Sequence, residues 1–504
     1  MDIVVVGGGS AGWISASLLN AKACNRFETR PRITLIESKR IGRIGVGEAT
    51  VPTIRRTLEM IGIPEKEFLN AADATFKHGI SFEDWSSKGS KYFHPFTFAE
   101  LSKWQLKSAS AEWLGSDRAV PYIETISEQI ALAYGGVAPK RSARSTPTRS
   151  LNRDYDGEVS YAYHMDAEKF ADTLTEFSTK RGVKHVIGDV VDVVQNEEGF
   201  VTSVTLADGK SVDGDLFIDC TGFARRLIGQ ALGGQFVDFG QWLLCDSAVA
   251  FRIPFEQDTS KTLKPYTVAK ALEAGWCWDI PLQTRRGTGY VYSSQFLDKD
   301  EAEATLRRQQ SVPSDLQARH IRFKSGRADR FWIKNVVAMG LAGGFLEPLE
   351  STGLYFVEEG VTMLSDLLPT TPQMDMLADL YNRKMTGHYE ECLYFINLHY
   401  CLTARRDTPF WCEVAKPERI HPRVQEKLAF WEQKLPSEMQ VQDTRLLFGL
   451  ESYEAILFGM GWEPSNLTFK RRDAPSPMRD LIQRREERLL SRLPKHEDYL
   501  AETN

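Results

Sequence analysis

Neither sign of charge dominates this chain, and no apolar run in it is long. Its 504 residues carry 62 Lys and Arg against 68 Asp and Glu, a formal net charge of −6. That balance leaves no basic footprint for nucleic acid. The most apolar stretch, Val336 to Leu346, is short and glycine-rich. It falls well below the ~20 residues that a bilayer-spanning helix needs, so no membrane partner is expected. Cysteine is scarce too. The seven, Cys24, Cys220, Cys245, Cys277, Cys392, Cys401 and Cys412, show no pair at the close spacing of a zinc or dithiol site. No metal is expected, and an odd count suits a reducing cytoplasm. The chain opens directly on a strand-like Asp2-Ile3-Val4-Val5-Val6, which predicts no secretory leader.

What remains is an ordinary globular balance, 42% hydrophobic and 26% charged, with length enough for a large core or several domains. Residues 1 to about 60 read strand, glycine turn, helix, strand. Phe170 to Arg181 has helical periodicity and leads into strands over Val183–Val194 and Gly199–Leu206. Asp215–Cys220 and Val336–Leu341 read as short buried strands. From about residue 354 the pattern turns mostly helical, and Lys470–Lys495 reads as a solvated, Arg-rich helix face. Gly136–Gly157, rich in Ser, Pro and Arg, predicts a mobile surface loop.

Gly7-Gly8-Gly9-Ser10-Ala11-Gly12 stands where the first strand meets the first helix. Gly7 permits the tight turn, Gly9 lets backbone approach a pyrophosphate, and Gly12 lets helix and strand pack closely. The N–H groups of Ser10 and Ala11 open the helix and can hold an anion. Glu37, at the end of the second strand, can accept from ribose hydroxyls. The bland alternative is a glycine turn that only joins a strand to a helix. Ser351-Thr352-Gly353 precedes the apolar helical pattern Leu354–Leu368. Free N–H groups there would suit a small anion, although an ordinary N-cap explains the same residues.

Several segments resemble one family in order along the chain. Gly275-Trp276-Cys277-Trp278-Asp279-Ile280-Pro281 has the W-x-W-x-I-P form of flavin-dependent halogenases of the tryptophan and indole type. Gly47-Glu48-Ala49-Thr50-Val51-Pro52-Thr53 is similar to that family's flavin-covering strap. Phe345-Leu346-Glu347-Pro348-Leu349-Glu350-Ser351-Thr352-Gly353 is similar to its halide and catalytic segment. Asp407-Thr408-Pro409-Phe410-Trp411 is similar to a further one. The likeness runs from residue 1 to about 415.

The resemblance implies an α/β fold of the glutathione-reductase/monooxygenase type. An FAD-binding Rossmann-like module would span 1–370, with substrate-side segments inserted around 80–160 and 245–330. A mostly helical module over 371–504 would complete the substrate site. It implies FAD contacts at Ala49 and Gly340 besides the glycine turn. By the same resemblance the FAD would arrive as FADH2 from a separate NAD(P)H-dependent flavin reductase; the chain shows no second glycine fingerprint for a nicotinamide. Halide is the implied co-substrate, bound through Thr352 and Gly353. Lys77 would position hypohalous acid, either by hydrogen bonding or as a haloamine. Glu350 would stabilise and deprotonate the ring intermediate, with Glu347 ranked second. His94 and Phe96 would sandwich a small aromatic substrate. A homodimer is allowed. The family's tryptophan-gripping Tyr-Tyr pair is missing before Ser452, which points to an indole or a larger aromatic rather than free tryptophan. The rival reading is an FAD-dependent aromatic monooxygenase, which needs neither Lys77 nor Glu350.

Overall fold

The computed structural model describes residues 1–23, 30–42, 45, 47–98, 103–141, 153–256, 262–369, 374–441, 447–471 and 477–503. Cys24 and residues 142–152, half of the expected loop over 136–157, lie outside them; in the described half Val137, Ala138, Lys140 and Tyr155 are buried rather than on a mobile surface. The chain divides into two units, Met1–Ala74 with Met165–Phe239 and Phe323–Glu390, and Thr75–His164 with Gly240–Arg322 and Glu391–Asn504. No described helix is long and apolar enough to cross a membrane.

The first unit is built on a six-stranded sheet. Its order is Trp332–Ile333, Val336–Ala338, Leu216–Asp219, Asp2–Val6, Arg32–Glu37, Lys184–Ile187. All pairings are parallel except the first. Ile3, Val4, Val5 and Val6 are each buried on both faces of the sheet, which is why that strand reads as a continuous apolar run rather than an alternating one. The helix Ser10–Ala23 packs on Ala167–Thr179 and on Gly353–Asp366. Asp166 starts the second of these by accepting from the N–H groups of Glu168 and Lys169. An antiparallel meander, Val190–Gln195, Val201–Leu206 and Ser211–Asp213, stands beside the main sheet.

The second unit holds a seven-stranded sheet, ordered Arg319–Arg322, Ser247–Pro254, Arg285–Tyr292, Gly275–Pro281, Thr267–Ala271, Gly79–Glu83, Lys91–Pro95. Only the pairing of Thr267–Ala271 with Gly79–Glu83 is parallel. Trp276 and Trp278 lie in this sheet, 1% and 7% exposed, with Gly289 opposite Trp278. A Cβ at Gly289 would fall 2.1 Å from the Trp278 ring, so the glycine makes room for the indole. Helices follow, among them Pro409–Val414, Pro422–Trp431, Leu450–Gly459, Pro477–Leu490 and His496–Thr503. The Pro477–Leu490 helix is not solvated all round. Ile482 and Leu489 are buried, because its apolar residues recur at helical spacing between the arginines.

Candidate active site

In the first unit, the glycine turn separates into positions with different tasks. Gly7 has φ +123°, and a Cβ there would meet the Cys220 carbonyl oxygen at 2.2 Å. A Cβ at Gly12 would sit 1.8 Å from the Gly7 carbonyl oxygen. A Cβ at Gly8 would run into the Glu37 side chain. Only at Gly9 would it meet nothing within 4 Å. Three glycines therefore serve the protein's own packing, while Gly9 faces open space at the start of the Ser10–Ala23 helix. That is the cradle a pyrophosphate needs, and the residues present fit FAD. Ser10 Oγ donates to the Ala167 carbonyl (3.2 Å), and Glu37 Oε2 meets His185 Nε2 at 3.0 Å.

Two substitutions should part packing from binding. Gly12→Ala is expected to destabilise the chain by several kcal/mol, since overpacking alone costs about 1–3. Gly9→Ala should leave the melting temperature of the FAD-free chain unchanged while weakening FAD binding about 10-fold. Melting curves with and without FAD check both, and equal behaviour of the two variants would refute the division.

After the Val336–Ala338 strand the chain turns at Gly340, whose φ is +58° and whose Cβ would meet that of Ala11 at 2.6 Å. The single turn Pro348–Glu350 follows, then Ser351 at φ +60°, then the helix Gly353–Asp366. Glu347 and Glu350 are 0% and 2% exposed. Thr352 occupies the N-cap position, yet its side chain makes no capping hydrogen bond. An ordinary N-cap therefore does not account for it. A Cβ at Gly353 would meet nothing within 4 Å, so the helix start opens onto free space. Ala49 ends the short strand Gly47–Ala49, and the Thr53–Ile61 helix follows it.

Glu358, on the Gly353–Asp366 helix, escaped the sequence reading. It is buried, its Oε2 accepts from Thr57 Oγ1 (2.6 Å), and burial raises its pKa from 4.5 to about 8. A folded-state pKa raised in this way contributes stability that is complete below about 4.5 and lost as pH climbs toward 8. Glu358→Gln is expected to flatten that loss. Between pH 6 and 8 the urea-derived stability of the wild type should fall relative to the variant by about 1 kcal/mol per pH unit. Parallel curves would sink the assignment.

In the second unit, Lys77 ends the strand Thr75–Lys77, paired antiparallel with Ala162–His164. It is 0% exposed, and its Nζ lies 5.1 Å from the centre of the Phe96 ring. Lysine is almost never fully buried unless it has a partner. Three buried histidines lie on or against its strand and the partner strand. His164 bonds to Thr267 Oγ1 (2.8 Å), and burial, then Lys77, push its pKa well below the ordinary value. His78 and His496 are lowered to about 4 by burial. Gln129 ties the neighbourhood together. Its Oε1 accepts from the N–H groups of Phe96 and Thr97, and its Nε2 donates to His78 Nδ1 (3.0 Å). His94 is buried, with Nε2 3.0 Å from Ser452 Oγ and its ring beside Phe395 and Phe448. Phe395 and Phe448 stack at 3.8 Å. Thus the structure brings Lys77 to Phe96, and sets His94 among aromatic neighbours that no motif announced.

Along the chain stand a glycine turn open at Gly9, the buried Lys77, and the buried Glu350 ahead of a helix start with no side-chain cap. The family model for tryptophan halogenase matches residues 2–474. This chain belongs to the tryptophan halogenase family. It is 35% identical over 479 residues to the tryptophan 6-halogenase SttH of Streptomyces toxytricini, covering 91% of this chain and 89% of that one. It is 34% identical to the 7-chloro-L-tryptophan 6-halogenase KtzR of a Kutzneria species, covering 99% of both. The solved structure of a flavin-dependent halogenase from Xanthomonas campestris matches with TM-score 0.88 and 33% identity, over 100% of this chain and 98% of that one. As a tryptophan halogenase family member the chain is an enzyme, a flavin-dependent halogenase with an FAD-binding Rossmann-like fold. The family implies FAD and halide as its reagents and a flavin reductase as its supplier.

Proposed function

We propose that this chain is an FADH2-dependent halogenase that uses O2 and chloride or bromide to halogenate an electron-rich aromatic ring, an indole rather than free tryptophan. The complete burial of Lys77 beside Phe96 carries the reading. FAD, reduced by a separate NAD(P)H-dependent reductase, supplies hypohalous acid together with O2 and halide. Gly9, Ser10 and Ala11 hold its pyrophosphate on the turn that Gly7 and Gly12 shape, Glu37 holds its ribose, and Ala49 and Gly340 line the flavin. The Thr352 and Gly353 amides take the halide. Lys77 holds and polarises hypohalous acid, and its burial keeps water from competing for the oxidant. His94 and Phe96 present rings to the substrate ring. Glu350 stabilises the cationic ring intermediate and removes its proton.

Substrate choice rests on the segment before Ser452. A free amino acid needs partners for an ammonium and a carboxylate, and a site lacking them discriminates poorly for it. Here the described residues supply a phenyl ring, Phe448, stacked on Phe395. The relatives' names point to tryptophan, whose ring is the same indole.

The test is direct. The chain is incubated with a flavin reductase, NADH, FAD, O2 and bromide, with indole and L-tryptophan in separate reactions. Brominated indole is expected, with tryptophan turned over at least about 10-fold more slowly, a difference of ~1.4 kcal/mol. Faster, selective bromination of tryptophan would refute the substrate reading. An oxygenated product without bromine would favour a monooxygenase.

A further inference from the structure

The strand that carries Lys77 is three residues long and pairs along one side with Ala162–His164. So short a strand fixes its own direction poorly. Its other side is held at His78, whose N–H donates to the Pro265 carbonyl (2.7 Å), and at Phe76 by the far end of the chain. The Phe76 N–H donates to His496 Nε2 at 3.1 Å, across 420 residues of sequence. The opposite ring nitrogen, Nδ1, lies 2.8 Å from the Leu263 carbonyl oxygen. An amide N–H can only donate and a carbonyl can only accept, so the imidazole is held with its proton on Nδ1 and its Nε2 lone pair free for Phe76.

His496 is itself fixed. Its N–H donates to Gly136 (2.9 Å), the Ala138 N–H donates to Pro494 (2.9 Å), and Val137 forms a bridge with Lys495. Tyr499, one turn further on, sets its ring 5.3 Å from that of Phe76, edge to face. The tail thus grips Phe76 by backbone and by ring. Side chains alternate along a strand, so fixing Phe76 sets the direction in which Lys77 leaves it. Residues 494–503 lie beyond the stretch matched by the family model, which ends at 474.

We propose that His496 is a positioning residue for halogenation, holding the Lys77 strand so that the ammonium meets the oxidant in register with the ring to be attacked. This rests on the role of Lys77 given above. His496 touches neither substrate nor flavin in this scheme and acts only through Phe76.

The full chain is assayed with flavin reductase, FAD, bromide and indole as wild type, His496→Ala, His496→Gln and Lys77→Ala. Product per NADH oxidised is measured, together with hypobromous acid escaping to a chemical trap. His496→Ala is expected to bind FAD as the wild type does and to lose at least 10-fold in product per NADH, with trapped oxidant rising to match. Its kcat should fall while KM for indole stays within about three-fold. His496→Gln should recover half or more of the coupling, because its amide oxygen can accept from Phe76 and its NH2 can donate to Leu263. Coupling of His496→Ala within two-fold of wild type overturns the proposal. So does a loss that follows FAD binding and melting temperature down and is not rescued by Gln. If Lys77→Ala stays coupled, the role of Lys77 fails. If Lys77→Ala uncouples and His496→Ala does not, the positioning inference alone fails.

Discussion

Replacing Lys77 with methionine is expected to abolish halogenation, by about 10³-fold or more, and to leave the protein at least as stable as before. The two halves of that expectation have separate causes. Lys77 is 0% exposed, so its amino group has given up its water shell. Methionine matches the length of the lysine stem, fills the same buried space and carries no amine to dehydrate. Removing a preorganised donor from a water-excluded site costs a reaction about 10²–10³-fold. Here the loss should be larger, because unheld oxidant escapes before it meets the ring. Product mass and melting temperature check the two halves together. The methionine variant is more telling than Lys77→Ala, since alanine also leaves a cavity under Phe96. A variant that melts higher and still brominates indole would remove Lys77 from the mechanism.

Glu350→Gln is expected to lower kcat by about 10²-fold with little change in KM, the size of a lost general base. Gln keeps the shape and polarity of the side chain, and Glu350 is only 2% exposed, so the fold should not move. What goes is the negative charge that meets the cationic ring and the base that takes its proton. NADH oxidation should continue at the wild-type rate, because the carboxylate acts after the oxidant is made. The control is Glu347→Gln, in the equally buried carboxylate three residues earlier. Should Glu347→Gln cost more than Glu350→Gln, the base has been misassigned.

The parts of this protein that were legible in the sequence share one property, which is that their signal is local. The strand Asp2–Val6, the glycine turn and the Ser10–Ala23 helix sit within 23 residues, and each constrains the next. The strand expected over Asp215–Cys220 forms at Leu216–Asp219 and pairs in parallel with Asp2–Val6. The helix expected from Leu354 begins at Gly353. Near Thr352 the local rule failed in an informative way. A threonine at a helix start ordinarily caps it, and here its side chain does not.

What stayed hidden depends on distant partners. Nothing near residue 496 says that its ring will accept from Phe76, and nothing near 129 says that one glutamine will serve Phe96, Thr97 and His78. A histidine or glutamate inside an apolar context reads as a chance polar residue until its neighbours are known. Glu358, with its carboxyl pushed up to about 8, is of that kind.

The division of the chain bears on how the protein is made. It passes between the two units five times, at 74/75, 164/165, 239/240, 322/323 and 390/391. Each unit is therefore assembled from three separated lengths of polypeptide. On the ribosome, which delivers residues in order at about 5–20 per second, the first unit has its full complement only after residue 390 has emerged. The parallel core strand Leu216–Asp219 joins Asp2–Val6 across more than 200 residues, so closing the sheet means ordering a long intervening loop first. Until residue 219 has emerged, Asp2–Val6 lacks the strand that pairs with it opposite Arg32–Glu37. Expression at low temperature, or with holdase chaperones raised, should improve soluble yield more than any single surface substitution.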